Sequence, residues 1–383
     1  MPCGSKICGE ERLTIWSAPS RANHNLMNNP VKASNTHLRT VRWWLLAAAA
    51  MIFLTLVVGG ATRLTESGLS IVEWKPVTGI VPPLSENEWE AEFAKYQTIP
   101  QYRELNRDMT LAGFKVIYWW EWFHRILARL TGAVFLLPFM FFLWRGVIPQ
   151  GLRARLWAIF GAGAALGAVG WWMVSSGLTQ GVSVSQYRLA FHLTLACAIY
   201  ASILWTAQQL APQVPGKVPT RLRTGALAIA ILLLLQIYLG ALVAGLDAGL
   251  VYNTWPLIDG AFVPASERLW FIEPAWRNLF ENTMTVQFDH RIVAYAVWLL
   301  TMLHASDAWR MRREAGGAFM LAGAVTVQAA LGVVTLLYRT PIPLAMAHQV
   351  FAIVVFTMAV MHAGRLWHRV AYLSQSATVG QNA

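Results

Sequence analysis

Eight runs of about 20 predominantly apolar residues leave this chain few ways to fold. They lie near 41–61, 123–144, 156–175, 189–208, 224–245, 290–309, 317–338 and 344–364. Each is long enough to cross roughly 30 Å of hydrocarbon as an α-helix, the form that satisfies every backbone N–H and C=O internally. A closed barrel would need short segments of alternating polarity, and none occur. With 56% hydrophobic and only 13% charged residues, the expected fold class is an all-α integral membrane protein with eight transmembrane helices.

A net charge of +11 would point a soluble protein toward nucleic acid; here the basic residues follow the loops, so the partner is the lipid bilayer and no nucleic acid is expected. Arg145, Arg153 and Arg155 flank one connection, Lys217, Arg221 and Arg223 another, and Arg310, Arg312 and Arg313 a third; Lys32, Arg39 and Arg42 precede the first span. By the positive-inside rule these segments and both termini are cytoplasmic. The long loops 62–122 and 246–289, richer in acidic residues, form the outer surface. Residues 1–40 read as a mostly disordered inner tail. This tail lacks a signal-peptide apolar core, and Glu10 and Glu11 argue against a transit peptide, favouring a bacterial inner membrane over a mitochondrial one. Cys3, Cys8 and Cys197 leave the outer loops without thiols, so no disulfide framework is implied.

The first four spans resemble the last four. "GGATRLTESGLSIVEWKP" corresponds to "GALVAGLDAGLVYNTWP", "FHRILARLTG" to "DHRIVAYAVW", and "LAFHLTLA" to "MAHQVFAI". Four helices per half give parallel repeats, predicting two pseudo-symmetric four-helix bundles. The bundles occupy 41–208 and 224–367, joined by a Pro- and Gly-containing inner linker at 209–223 and followed by a tail at 368–383.

His124, His192, His290 and His348 take matching places near the outer ends of the even-numbered spans. Two imidazoles facing each other across a bundle are the axial ligand set of a haem iron. Four hydrogen-bonded packing residues, duplicated with the repeat, are the alternative. Zinc wants further ligands close by, and a di-iron site wants more Glu-x-x-His motifs than the single "EWFH". His24, His37, His304, His362 and His368 lie in the tail or toward the inner side and are read as non-ligands. Arg125, Arg188 and Arg291 stand beside the outer histidines, where they can pair with haem propionates. Glu121 precedes His124 by three residues, whereas Gln287 holds the matching place in the second half. The asymmetry points to chemistry at the first site; an ion pair of Glu121 with Arg125 at i, i+4 is the plainer reading.

The motifs "GGATRLTESGLS", "EWFHR", "AGLDAGLVYNTWP" and "FDHR" resemble the haem A synthase family, in particular its mitochondrial and alphaproteobacterial branch, over residues 40–368. The resemblance implies an oxidoreductase that converts the C8 methyl group of haem O into the formyl group of haem A by successive hydroxylations with water-derived oxygen. It implies haem B on His290 and His348, substrate haem on His124 and His192, and Glu121 as the functional carboxylate. Removing electrons from a methyl group leaves a cation-like carbon for water to attack, and a carboxylate there can stabilise the charge and accept the proton. Implied partners are a haem O synthase, cytochrome oxidase assembly factors and an electron acceptor; self-association into a homo-oligomer is left open. A non-catalytic di-haem b-type membrane cytochrome shares every histidine argument, and a transporter shares the parallel repeats.

Overall fold

The computed structural model describes residues 35–76, 78–179, 181–212 and 216–380. The tail expected as disordered, with Cys3, Cys8, His24 and Lys32, lies outside these residues as far as residue 34. Among the described residues the chain forms twelve α-helices and no strand. They are α1 Asn35–Leu64, α2 Glu86–Tyr96, α3 Pro100–Glu104, α4 Leu111–Trp144, α5 Gln150–Thr179, α6 Gln186–Gln209, α7 Thr220–Gly245, α8 Ser266–Leu269, α9 Asn278–Glu281, α10 Thr283–Arg310, α11 Ala315–Leu337 and α12 Ile342–Gly380. Eight of them, α1, α4, α5, α6, α7, α10, α11 and α12, are long and apolar enough to cross a membrane.

Packing sorts these eight into two rings. Helix α1 contacts α4 and α6, and α5 contacts the same two; α7 contacts α10 and α12, and α11 likewise. Helices α4 and α6 are therefore diagonal in the first ring, as α10 and α12 are in the second. The rings meet where α6 lies against α7 and α12, and α1 against α12. Polar contacts fix this seam: Tyr200 and Thr357 share a hydrogen bond of 2.8 Å, and Gln349 Nε2 donates to Leu56 O at 3.1 Å. Both long loops lie at one end of the rings, here the loop end; the α4–α5, α6–α7 and α10–α11 connections lie at the other, the terminal end.

Helix α4 shows how sequence and packing cooperate. Pro138 inside it has no N–H to give the carbonyl four residues earlier. In an apolar setting that orphan would cost about 1–3 kcal/mol, and the Trp44 indole of α1 donates to Val134 O at 2.9 Å instead. Trp44 then stacks among Phe135, Phe139 and Phe142, with ring centroids 5.1, 6.1 and 5.6 Å away, filling the terminal end of the first ring.

The helix also starts at Leu111, earlier than the span expected from residue 123, because Thr110 caps it by accepting from Gly113 N. Its added turns carry Phe114, Tyr118 and Trp119, against which α2 and α3 pack Trp89, Phe93, Tyr96 and Tyr102. Loop 62–122 is thus a small folded layer with its own core. A capping box of Ser85 and Glu88 starts α2.

Candidate functional site

Each of the four outer histidines projects from a diagonal helix and rests on a glycine of a neighbouring one. A Cβ added to Gly59 of α1 would sit 2.7 Å from His124 Cε1, and one on Gly170 of α5 would sit 3.1 Å from His192 Cε1. In the second ring the pairs are Gly240 of α7 with His290 at 3.2 Å and Gly332 of α11 with His348 at 2.7 Å. A side chain at Gly59 or Gly332 would displace an imidazole, and one at Gly170 or Gly240 would press it back by a few tenths of an ångström. His124 and His192 lie close enough to interact electrostatically, as do His290 and His348. The structure thus brings the sequence-predicted histidines together as two separate pairs, one at the loop end of each ring.

The polar surroundings of the two pairs differ. In the second ring Gln236 Nε2 lies 3.0 Å from His290 Nδ1, Gln328 Nε2 lies 3.1 Å from His348 Nδ1, and both amide oxygens are buried without a partner. Each Nε2 also donates to the backbone carbonyl of the same histidine at 3.0 Å, so the two amides hold imidazole and helix backbone together. In the first ring Thr55 and Leu166 take the places of these glutamines, and Nδ1 of both His124 and His192 is buried and unpartnered. Bis-imidazole ligation of a haem iron fits both pairs, with the second pair the more firmly held.

Glu121 is the one buried carboxylate among the described residues, and it is fully engaged. Its Oε2 accepts from Ser70 Oγ at 2.7 Å and Ile71 N at 2.8 Å; its Oε1 accepts from Arg125 Nε at 3.0 Å and Nη2 at 2.6 Å. Arg125 continues to the carbonyls of Ile71 and Glu73, and Arg129 one turn on binds those of Lys75 and Pro76. A stripe of three charged residues on α4 thus ties segment 70–76 across the loop end. The ion pair anticipated as the plainer reading is present, and it serves as an anchor.

The second ring repeats the anchor with another charge. Gln287 donates to Ala248 O at 2.9 Å and accepts from Arg291 Nη2 at 2.7 Å, while Arg291 reaches the carbonyls of Tyr252 and Leu257. Arg291 is buried, its Nε has no partner, and no carboxylate pairs with it among the described residues. A buried cation without a counter-ion favours an anionic ligand, so the propionate reading fits Arg291 better than Arg125, whose charge Glu121 already offsets. Arg188 donates to Trp172 O at 2.6 Å and lies over that indole, with Cζ 4.6 Å from the ring centroid.

The outer layer is also held by charge. The Lys75 and Lys95 ammonium groups hydrogen-bond Glu73 and draw its carboxyl down to about 2. Burial alone would lower Lys95, but Glu73 and Glu92 outweigh it and leave the ammonium raised above its ordinary value.

A further histidine pair lies away from these sites. His304 of α10 and His362 of α12, read from the sequence as non-ligands, meet at the terminal end of the second ring with their Nε2 atoms 2.9 Å apart. The signal that reveals them is spacing: each lies fourteen residues beyond His290 or His348 on the same helix.

Comparison with known proteins adds the family. Residues 42–360 match the family described as cytochrome oxidase assembly protein. A haem A synthase of Rhodopseudomonas palustris strain BisA53 is 58% identical over 342 residues, covering 89% of this chain and 94% of that one. The haem A synthase of strain HaA2 is 60% identical over 331 residues, 86% of this chain and 91% of its own. That of Bradyrhizobium diazoefficiens is 55% identical over 351 residues, with 91% and 98% covered.

Proposed function

The chain belongs to the cytochrome oxidase assembly family that includes the haem A synthases, and on that premise we propose that it converts haem O into haem A. The C8 methyl group and one water become the formyl group, releasing four protons and four electrons to an acceptor. The electron-carrier reading is not favoured, because relatives matched over most of the chain bear the enzyme's name.

The division of labour between the rings rests on one observation: both histidines of the second pair are tied to glutamines, and neither of the first pair is. Firmly held ligands suit a permanent group, and loosely held ones suit a substrate that enters and leaves. His290 and His348 accordingly hold haem B with Arg291 as a propionate partner, while His124 and His192 hold haem O with Arg188 and Arg125 at its rim. When bound, haem B supplies a one-electron carrier. Glu121 takes the proton of the attacking water, a water replacing the Ser70 hydroxyl at Oε2. The Ser70–Glu73 segment, clamped by Arg125, keeps bulk water from the same face.

The basic residues of the terminal end support both termini on the cytoplasmic side, and Glu10 and Glu11 in the leader favour a bacterial inner membrane. Haem O then arrives from a haem O synthase and haem A passes to oxidase assembly factors. Expression in cells that make haem O but no haem A tests the reaction. Haem A in the extracted membrane haems is the expected result, and unaltered haem O would overturn it.

A further inference from the structure

The two rings pack alike on three sides and differ on the fourth. Helices α4 and α5 meet more sparsely than any other neighbours within either ring. Their counterparts α10 and α11 are bridged: Trp298, eight residues beyond His290, donates its indole N–H to Thr326 Oγ1 at 3.1 Å, and Val325 next to that threonine is buried. Counting from the paired histidines and the glycines beneath them, Gly132 and Ala164 take the places of Trp298 and Thr326, and Gly163 takes that of Val325. Gly167 likewise stands where the second ring has Ala329. A Cβ added to Gly132, Gly163 or Gly167 would meet nothing within 4 Å.

These positions face the α4–α5 boundary. Gly132 lies seven residues before Phe139, whose ring packs on Trp157 of α5 with centroids 5.0 Å apart. Gly167 lies seven after Phe160, which stacks on Phe135 of α4 at 6.3 Å. Seven residues are close to two helical turns, so each glycine shares the face of its aromatic partner. The first ring thus has a slot where the second has an indole, a hydroxyl and a valine. The two aromatic pairs close it toward the terminal end. At the loop end Trp74, from the segment clamped by Arg125, stacks on Trp171 of α5 with centroids 5.9 Å apart and planes 10° from parallel. In the second ring Val333 stands at the place of Trp171, and the matching Trp255 bonds Tyr295 of α10 instead. The first ring is therefore roofed on its outer side and open sideways, toward lipid.

The slot begins at the histidine pair. Gly132 lies eight residues beyond His124, and Gly163 lies seven before the glycine under His192, about 12 and 10 Å of helix rise. At its head Nδ1 of both histidines is buried without a partner. A ligand that fills head and slot together has a flat, iron-bearing body and a long apolar tail. Haem O has that shape, because a hydroxyethylfarnesyl chain distinguishes it from haem B. The ring assigned to haem B has no slot. A lone acyl chain would fill the slot and leave both imidazoles unused.

We propose that the slot between α4 and α5 admits the isoprenoid tail of haem O, and that substrate and product exchange sideways with the bilayer through it. The inference rests on the reading of the first ring as the substrate site. Lipid is as apolar as the slot, so the slot acts by leaving room for the tail rather than by attracting it. Gly132→Trp/Ala164→Thr installs the bridge of the second ring and tests this. Gly163→Val, which enters free space, is the milder variant. Each full-length chain is purified in detergent and titrated with haem O, or with haem B as a tail-less probe, and bound haems are extracted and identified by chromatography. Retention of the resident haem B reports an intact second ring. Haem O uptake and haem A formation should fall about tenfold or more in the bridged variant and less in Gly163→Val, while haem B uptake beyond the resident one stays at the parent level. Haem O uptake equal to the parent's in both variants would overturn the proposal, as would parallel loss of haem O and haem B uptake. Slot-dependent haem O uptake by a chain that forms no haem A would retain the slot while removing the proposed reaction.

Discussion

Replacing Glu121 by Gln separates the two roles its position allows. The carboxylate accepts four hydrogen bonds, two from Arg125 and one each from Ser70 Oγ and Ile71 N. Gln287 shows what survives in an amide: its oxygen keeps the arginine at 2.7 Å and its nitrogen finds a carbonyl at 2.9 Å. In Glu121→Gln the oxygen retains Arg125, but the new NH₂ faces the Ile71 N–H donor. One buried N–H then loses its acceptor, at about 1–3 kcal/mol, and the weaker arginine contact adds about 1 kcal/mol. The penalty is local, loosening residues 70–73 without unfolding either ring. Loss of a positioned proton acceptor, by contrast, slows a reaction about 10²- to 10⁴-fold. The assay is a time course of haem extraction from membranes containing haem O, with site occupancy followed by absorption. Filled sites and haem A formation reduced at least about a hundredfold are the expected result. Turnover within a few-fold of the parent would refute the chemical role, and loss of the substrate haem would show that the carboxylate serves binding.

The glycines give site-specific predictions. Gly59→Ala places a methyl 2.7 Å from His124 Cε1 and should lower substrate-haem occupancy about tenfold or more, while b-type haem stays bound. Gly332→Ala, equally close to His348, should remove one b-type haem and spare the substrate site; haem-to-protein ratios by type decide both. The outer layer should respond to pH at both extremes. Glu73, drawn from 4.5 to about 2, contributes fully above 4.5 and loses its contribution as pH falls toward 2. Lys95, raised above 10.5, contributes below that value and ceases to do so as pH rises through its raised folded value. A spin label at Glu90→Cys should therefore be immobilised between these limits and mobile beyond either, and uniform mobility across the range would contradict the anchor.

Much of this architecture is legible from residue patterning because lipid imposes it. The eight spans follow from apolar length alone, and the four outer histidines from their repetition. Helix starts were harder, since the aromatic run of residues 118–123 reads as a membrane border, whereas Tyr118 and Trp119 belong to an outer layer built on α4. The Glu121–Arg125 ion pair is readable from its i, i+4 spacing, but its anchoring of Ser70 and Ile71 depends on a loop fold no periodicity encodes. Gln236 and Gln328 carry no local signal and acquire meaning only when α7 and α11 bring them to the imidazoles. His304 and His362 read as non-ligands because they lie toward the inner side, away from the outer pairs; their contact with each other follows from a fourteen-residue offset on both helices.

In the proposed reaction one chain holds a permanent haem in the second ring and a different, reacting haem in the first. Purifying it from cells that make haem O, extracting its haems and identifying them by chromatography tests this directly. Haem B together with haem O, haem A or a hydroxylated intermediate is the predicted result. Haem B alone would contradict the claim and leave a b-type membrane cytochrome.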